Sequence, residues 1–493
     1  MRFYIRGVKM VFVMLIFMIQ LLPAQGVTTG NIRGMVTNSS DGTPLVGANV
    51  VANHIDTGVQ YGSATGGDGR YYIPNIKVGG PYTIKVFYIG YETNSAEGIY
   101  VKLNEKQKLD FTLKTSAIEG SEVIVSAALD DTFSSDRTGA STNVGEDQME
   151  SMPSVKRSTR DFTRFDPRSD GNFSFSGRNW LYNSISLDGS YFGNPFGLDD
   201  PAPGGQANAE PVPFDAVEQV QISVMPFDVR EGGFTGAGIN TVTKSGTNTF
   251  KGSFYTYNRN ETLIGNEVSG NEVIANPDLS FSQNGVTFSG PIIKNKLFFF
   301  VNAEMERRED PGTNFTAAVD GNDVKFGESR VDADVMDSIR ERMMDVYDYD
   351  TGPYQDYLHK TENDKLLLKL DWNINDSHNL TFRYNMLDAV RDLPPHGFVL
   401  SFNNTGRGPN SSSLPFKNSG YAINNELDSY ALELNSLFKG KAANRFFFSY
   451  NKFRDFRVPF SEDFPTIEIG ENGVTYTTLG HEPFSIHNIL DQD

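Results

Sequence analysis

The feature that most constrains this chain is a two-residue alternation sustained through long segments of its second half. Leu366, Leu368, Leu370, Trp372 and Ile374 alternate with Lys365, Lys369, Asp371 and Asn373. After Asn375-Asp376-Ser377-His378, Leu380, Phe382, Tyr384 and Met386 alternate with Thr381, Arg383 and Asn385. A second hairpin sets Tyr430, Leu432 and Leu434 against Glu433 and Asn435. It turns at Lys439–Gly440 and returns as Phe446, Phe448 and Tyr450 against Arg445, Ser449 and Asn451. Earlier strands are expected at Phe250–Tyr257, Phe281–Gly290 and Leu297–Ala303. Successive strand side chains point to opposite faces, so each segment has one apolar face and one charged face. An apolar row rich in Leu, Phe and Tyr against lipid, backed by a polar row against a wet lumen, is the pattern of a membrane β-barrel. The connections at about 309–362, 388–428 and beyond 457 fit its long external loops. Within the first, Val335, Ile339, Met343 and Val346 are spaced for one amphipathic helix over the mouth. The ordinary alternative is a soluble antiparallel sandwich with one wet face. Strands this aromatic, and loops of roughly 40–50 residues, argue against it.

The N-terminus supports export. Arg2, Arg6 and Lys9 precede an apolar run from Met10 to Ile19. A basic start and a short apolar run make a secretory signal, expected to occupy residues 1–25, too short for a comfortable membrane helix. No other segment stays apolar long enough to cross as a helix. The net charge of −19 argues against nucleic acid, which needs clustered Lys and Arg. The absence of cysteine removes disulfides, thiolate metal sites and a Cys nucleophile.

Residues 27–115 read as a small β-sandwich, with turn signals about every ten residues. Tyr82, Ile84, Val86 and Tyr88 form its clearest alternation. Gly42-x-Pro44-Leu45-x-Gly47-Ala48-x-Val50, Asp68-Gly69-x-Tyr71, and Gly80-Pro81-Tyr82 leading to Gly90-Tyr91 resemble the carboxypeptidase regulatory-like domain, also called starch-binding-like. That resemblance implies an accessory sandwich without catalytic machinery, with a structural role weighed above carbohydrate binding.

Residues 116–127 are a polar linker around one short strand, Ser121-Glu122-Val123-Ile124-Val125-Ser126-Ala127. Such a strand is not stable alone and needs a sheet edge to pair with. From the residues alone it is equally the last strand of the sandwich. Glu122, Val123, Ile124, Val125, Ser126 and Ala127 resemble a TonB box of the Glu-Val-x-Val-Ser/Thr-Ala type found in Bacteroidetes receptors. The resemblance implies pairing with periplasmic TonB, which relays energy from the inner membrane.

Residues 128–246 are dense in Gly, Asn, Asp and Pro. Gly177-Arg178 is followed by Asn183 and the strand and turn ending at Asp188-Gly189. Then come Glu218 and Val220 in an alternating strand, Gly236 and Gly238, and Thr243-Lys244-Ser245-Gly246. The glycines lack phosphate-loop spacing, and close packing inside a barrel is the better account. The succession resembles the plug of TonB-dependent receptors. With Asn172-Phe173-Ser174-Phe175 and Pro226-Phe227-Asp228-Val229-Arg230 it most resembles Oar-like receptors.

No catalytic constellation is found, so no enzyme and no cofactor is expected. His54, His359, His378 and His396 stand apart from one another, and His481-Glu482 with His487 is not a zinc motif. Asp345, Asp348 and Asp350 miss calcium-loop spacing, and they and Asp199-Asp200 read as solvated acidic loops. The fold expected is mainly β: a sandwich, an α+β plug, and the first strands of an antiparallel transmembrane barrel at 247–493. Seven strands are countable against about 22 in plugged transporters, and the chain stops at Leu490-Asp491-Gln492-Asp493, so it reads as truncated. The resemblance implies energised import of an extracellular ligand at the outer membrane. Its partners are outer-membrane lipid and TonB, and a lipoprotein lid is compatible but not demanded. The competing reading is a surface adhesin or secretion-associated barrel that performs no import.

Overall fold

The computed structural model describes residues 26–116, 122–126, 140–151, 154, 157–158, 160–171, 173–193, 202–226, 231–274, 278–319, 324–397, 405–438, 442–483 and 490–492. The expected signal peptide, Ala127, Asn172, Asp199–Asp200, Phe227–Arg230, Lys439–Gly440 and His487 lie outside the described residues.

The first body is a two-sheet sandwich. One sheet joins β1 (Thr29–Asn38) to β4 (Arg70–Lys77), β7 (Lys106–Lys108) and β8 (Phe111–Leu113). The other runs β3 (Gln60–Ala64), β2 (Asn49–His54), β5 (Gly79–Phe87), β6 (Thr93–Val101) and β9 (Glu122–Ser126). The inward row of β5 is the alternation expected, with Tyr82, Ile84 and Val86 fully buried against Ile32, Val50 and Ile73. Tyr88 falls beyond the strand.

The second body is a mixed five-stranded sheet in the order β10 (Ala140–Gly145), β13 (Val217–Val224), β14 (Gly238–Thr243), β11 (Ser184–Leu187), β12 (Ser190–Tyr191). Its central strand β14 is buried throughout. Val220, Ile222 and Ile239 form its core together with wall residues Leu367, Leu387 and Leu427, so sheet and barrel wall share one apolar cluster.

That wall is an eight-stranded antiparallel sheet, running in order from β15 (Lys251–Asn260) through β16 (Ser280–Ile293), β17 (Leu297–Pro311), β18 (Leu358–Asn375), β19 (His378–Leu393), β20 (Tyr421–Phe438) and β21 (Ala442–Pro459) to β22 (Leu490–Gln492). Antiparallel neighbours on both sides pair β16 through β20 within the sheet, as a lipid-facing strand requires. The last strand has no alternation long enough to read, and the sequence count of seven missed it. Strands also extend further into the expected loops than periodicity indicated, because above the membrane both faces are wet and alternation fades.

Register turns the sequence alternation into bands. Phe299, Leu370, Phe382, Leu432 and Phe448 stand side by side across β17 to β21, and Val301, Leu368, Tyr384, Tyr430 and Tyr450 form the next row. One row nearer the loops, Ala303, Leu366 and Met386 continue into Asp428 and Lys452, where the belt ends.

At the loop end, segments from three connections pack into one cap. Met336 and Met343 of the helix Ala333–Tyr347 are buried with Tyr354, Leu414, Phe416 and Tyr476. The expected helix exists, but its apolar face differs. Val335 and Val346 are 45 % exposed, and the helix turns on Met336 instead. Glu482, next to the His481 dismissed as a metal ligand, is fully buried and pairs with Arg407 at 2.9 Å.

Arginine placed in the belt should cost far more than arginine above it. Leu432→Arg is expected to destabilise the membrane-embedded protein by about 2–4 kcal/mol, and Asp428→Arg by less than about 1 kcal/mol. Urea unfolding in lipid vesicles reads the difference, and equal costs would contradict the band.

Candidate functional site

The site is built where the plug meets the wall. Lys369 of β18 and Arg383 of β19 are direct cross-strand partners facing the lumen, both almost fully buried. Like charges opposite one another destabilise a sheet; Asp371, two residues along β18, answers Lys369 from within the wall, whereas Arg383 needs a counter-charge from elsewhere. It comes from Asp188, whose carboxylate lies 3.6 Å from Lys369 Nζ and 4.0 Å from Arg383 Nε.

Asp188 is held there by the hairpin between β11 and β12. Asp188 and Gly189 both take positive φ, +44° and +83°, as a tight hairpin turn with the right twist requires. Gly189 is needed for a second reason. A Cβ there would come within 2.7 Å of Arg445 Nη2 and 3.1 Å of the Phe447 ring, so only glycine lets the turn approach β21. Thr243, at the end of β14, donates its backbone N–H (2.9 Å) and its hydroxyl (2.7 Å) to the Asp188 carboxylate. Lys369 Nζ donates to the Thr243 carbonyl at 2.8 Å, and Arg383 Nη1 to the Leu187 carbonyl at 3.0 Å. Burial pushes the Asp188 carboxyl up, but the two cations and the Thr243 hydrogen bonds outweigh burial and hold it below the usual carboxylate range.

The other plug residues singled out in the sequence have distinct places. Asn183 donates to the Phe173 carbonyl at 2.6 Å and accepts from Ala237 N–H at 2.9 Å, tying the start of β11 to that of β14. Gly236 packs onto Asn183 and the Tyr182 carbonyl, and Gly238 onto the Phe234 ring. Val220 is fully buried in the plug core. Lys244 pairs with Glu146 at 2.6 Å. Burial, with Glu146 nearby, raises the Glu218 carboxyl above its ordinary range. Ser245 lies half-buried on the way to the wall, and Gly246 abuts the Phe299 and Gly290 carbonyls as the chain enters it. Gly177 and Arg178 are not part of this cluster; both lie exposed in a turn at the plug surface.

Sequence reasoning placed Lys369 and Arg383 in the lumen-facing row but gave them no role. Two cations at matching positions of consecutive strands were the available signal. Further ties reach the sandwich. Lys77 pairs with Asp371 at 3.0 Å, and Thr28 donates to Glu433, which also pairs with Arg445 at 3.1 Å. Gln219 and Gln221 of β13 bond the two backbone groups of Leu103 at 2.5 and 2.8 Å. A cavity of about 80 Å³ remains between sandwich, plug and wall, lined by His54, Lys77, Asp188, Lys369, Asp371 and Glu433. Burial, assisted by Lys77, lowers the His54 pKa to about 4, so this ring is neutral at physiological pH. The candidate TonB box lies apart from this cluster, on the sandwich, where β9 pairs in parallel with β6. Among the described residues no group of three His, Asp or Glu is placed to hold a metal ion.

A sandwich, a mixed sheet tied to a charged wall, and an antiparallel wall with an apolar belt are the architecture of an outer-membrane barrel protein. Comparison with known proteins agrees. Residues 242–489, half of the chain, match the outer membrane beta barrel domain, and residues 31–114 match the carboxypeptidase regulatory-like domain. The TonB-dependent transporter Oar of Myxococcus xanthus is 24% identical over 379 residues, covering 72% of this chain and 33% of Oar. The chain therefore spans about a third of the length of that relative. Among solved structures, the outer membrane transporter YddB of Escherichia coli aligns at a TM-score of 0.44 with 14% identity, covering 69% of this chain and 43% of YddB. The siderophore receptor PirA of Pseudomonas aeruginosa aligns at 0.39 with 15% identity, covering 65% and 42%. This chain belongs to the outer-membrane β-barrel family.

Replacing Asp188 by Asn leaves Arg383 buried opposite Lys369 without its counter-charge. The plug should open more readily by about 3–5 kcal/mol, seen as faster hydrogen exchange in Ser184–Leu187 and Gly238–Thr243. Because the folded carboxyl titrates below its unfolded value, the anchor is present above about pH 4 and fails only as the pH falls further. Unchanged exchange in the variant would show that the anchor contributes nothing.

Proposed function

We propose that this receptor imports a ligand across the outer membrane by energised movement of its plug. The external loops and the outer face of the plug bind the ligand. TonB engages Glu122, Val123, Ile124, Val125, Ser126 and Ala127 and draws on the plug through the chain that leads to β10. Outer-membrane lipid contacts the belt; a lipoprotein partner remains compatible with the exposed helix face at Val335 and Val346.

The observation that carries this reading is how the plug is held. Its contacts with the wall include a few specific charge and hydrogen-bond contacts around Asp188, Thr243, Lys369 and Arg383, rather than strand pairing. Among the described residues the plug sheet and the wall sheet share no ladder, so one can leave without unzipping the other.

The test is calorimetric titration of a peptide spanning Thr115–Ala127 with the periplasmic domain of the host's TonB. Binding is expected, and Val123→Pro should weaken it at least about tenfold by removing a strand donor. If neither peptide binds, energy coupling through this segment is lost, and adhesion or secretion becomes the better account of the same architecture.

A further inference from the structure

The candidate TonB box is not a free tether. Five residues of β9 pair with β6 in unbroken parallel register, from Thr93↔Glu122 to Glu97↔Ser126. They close one side of the sheet β3-β2-β5-β6-β9, and among the described residues nothing pairs with the other edge of β9. Sheet edges normally carry protection against strand addition, such as Lys, Pro or a bulge. Glu122-Val123-Ile124-Val125-Ser126 has no Lys and no Pro, and the pairing has no register shift. It is a bare, regular, β-branched edge.

We propose that the sandwich presents this edge, and that an extended strand of TonB adds to β9 while β9 stays seated on β6. The partner then becomes a sixth strand of the sandwich sheet. This rests on the reading of Glu122–Ala127 as the TonB recognition segment, and it adds where and on what that recognition happens. The hydrogen-bond count favours addition over displacement. Removing β9 from β6 gives up the whole ladder before the first bond to the partner forms, whereas the free edge offers unpaired donors and acceptors at once.

The arrangement also assigns the accessory sandwich a task. It is tied to the wall through Lys77–Asp371 and Thr28–Glu433, and to the plug through Leu103 with Gln219 and Gln221. A pull on a strand added to β9 therefore loads the sandwich and its contacts beneath the plug, not the linker alone.

The chain contains no cysteine, so an introduced pair can form only one cross-link. Glu97→Cys with Ser126→Cys places two cysteines at paired positions of adjacent strands about 4.8 Å apart, within reach of a disulfide. In the full receptor in lipid vesicles, thiol titration first reports whether the bond forms. Binding of the purified TonB periplasmic domain is then measured for the oxidised and reduced forms. The expected result is efficient oxidation, and affinities within about twofold of each other. A cross-link that does not form, or oxidised receptor binding at least about tenfold more weakly than reduced, would overturn addition to the seated strand and require displacement. Absence of binding by the unaltered receptor, measured alongside, would remove the coupling reading itself, and this proposal with it.

Discussion

Lys369 and Arg383 stand opposite each other on neighbouring strands facing the plug, and the carboxylate that reaches both comes from the plug. The polar contact at the tip of the β11–β12 hairpin is arranged around that repulsion. Asp188 enters from the plug between the two cations, Thr243 fixes its carboxylate, and Gly189 gives the turn room to reach β21. A lone cation pair of this kind is costly in a buried setting, and a plug that brings the missing carboxylate is bound in one orientation. Charge complementarity thus positions the plug, while the shared apolar cluster around Leu367, Leu387 and Leu427 fills the space between.

The lipid side follows from another constraint. A membrane-facing sheet has to bond its own backbone and cover itself with apolar side chains. The in-register rows of Leu, Phe and Tyr do this, and the same two-residue period delivers the charged residues to the lumen. Belt and anchor are two faces of one alternation.

That alternation is why the wall could be read from sequence, and why its strand ends could not. Above the belt, Asp428 and Lys452 make one face polar as Ser429 and Asn451 make the other, and the signal disappears. The cap of loops was illegible because Met336, Phe416 and Tyr476 come from three separate connections. Asp188 and Thr243 were marked by their resemblance to plug motifs, yet their partners lie beyond position 360, and no local pattern links them. The short strand Glu122–Ser126 announced that it needed a sheet edge, and the sandwich, one of the two readings left open, supplies it at β6.

Plug and wall share an apolar cluster and a polar anchor but, among the described residues, no strand ladder, so they are separable bodies. The most direct test is to pull a single bilayer-embedded receptor by a handle at Ser126 in a force spectrometer. The account predicts that the plug extends first, at low force, while the wall strands stay in the membrane. Simultaneous unravelling of plug and wall strands would contradict it.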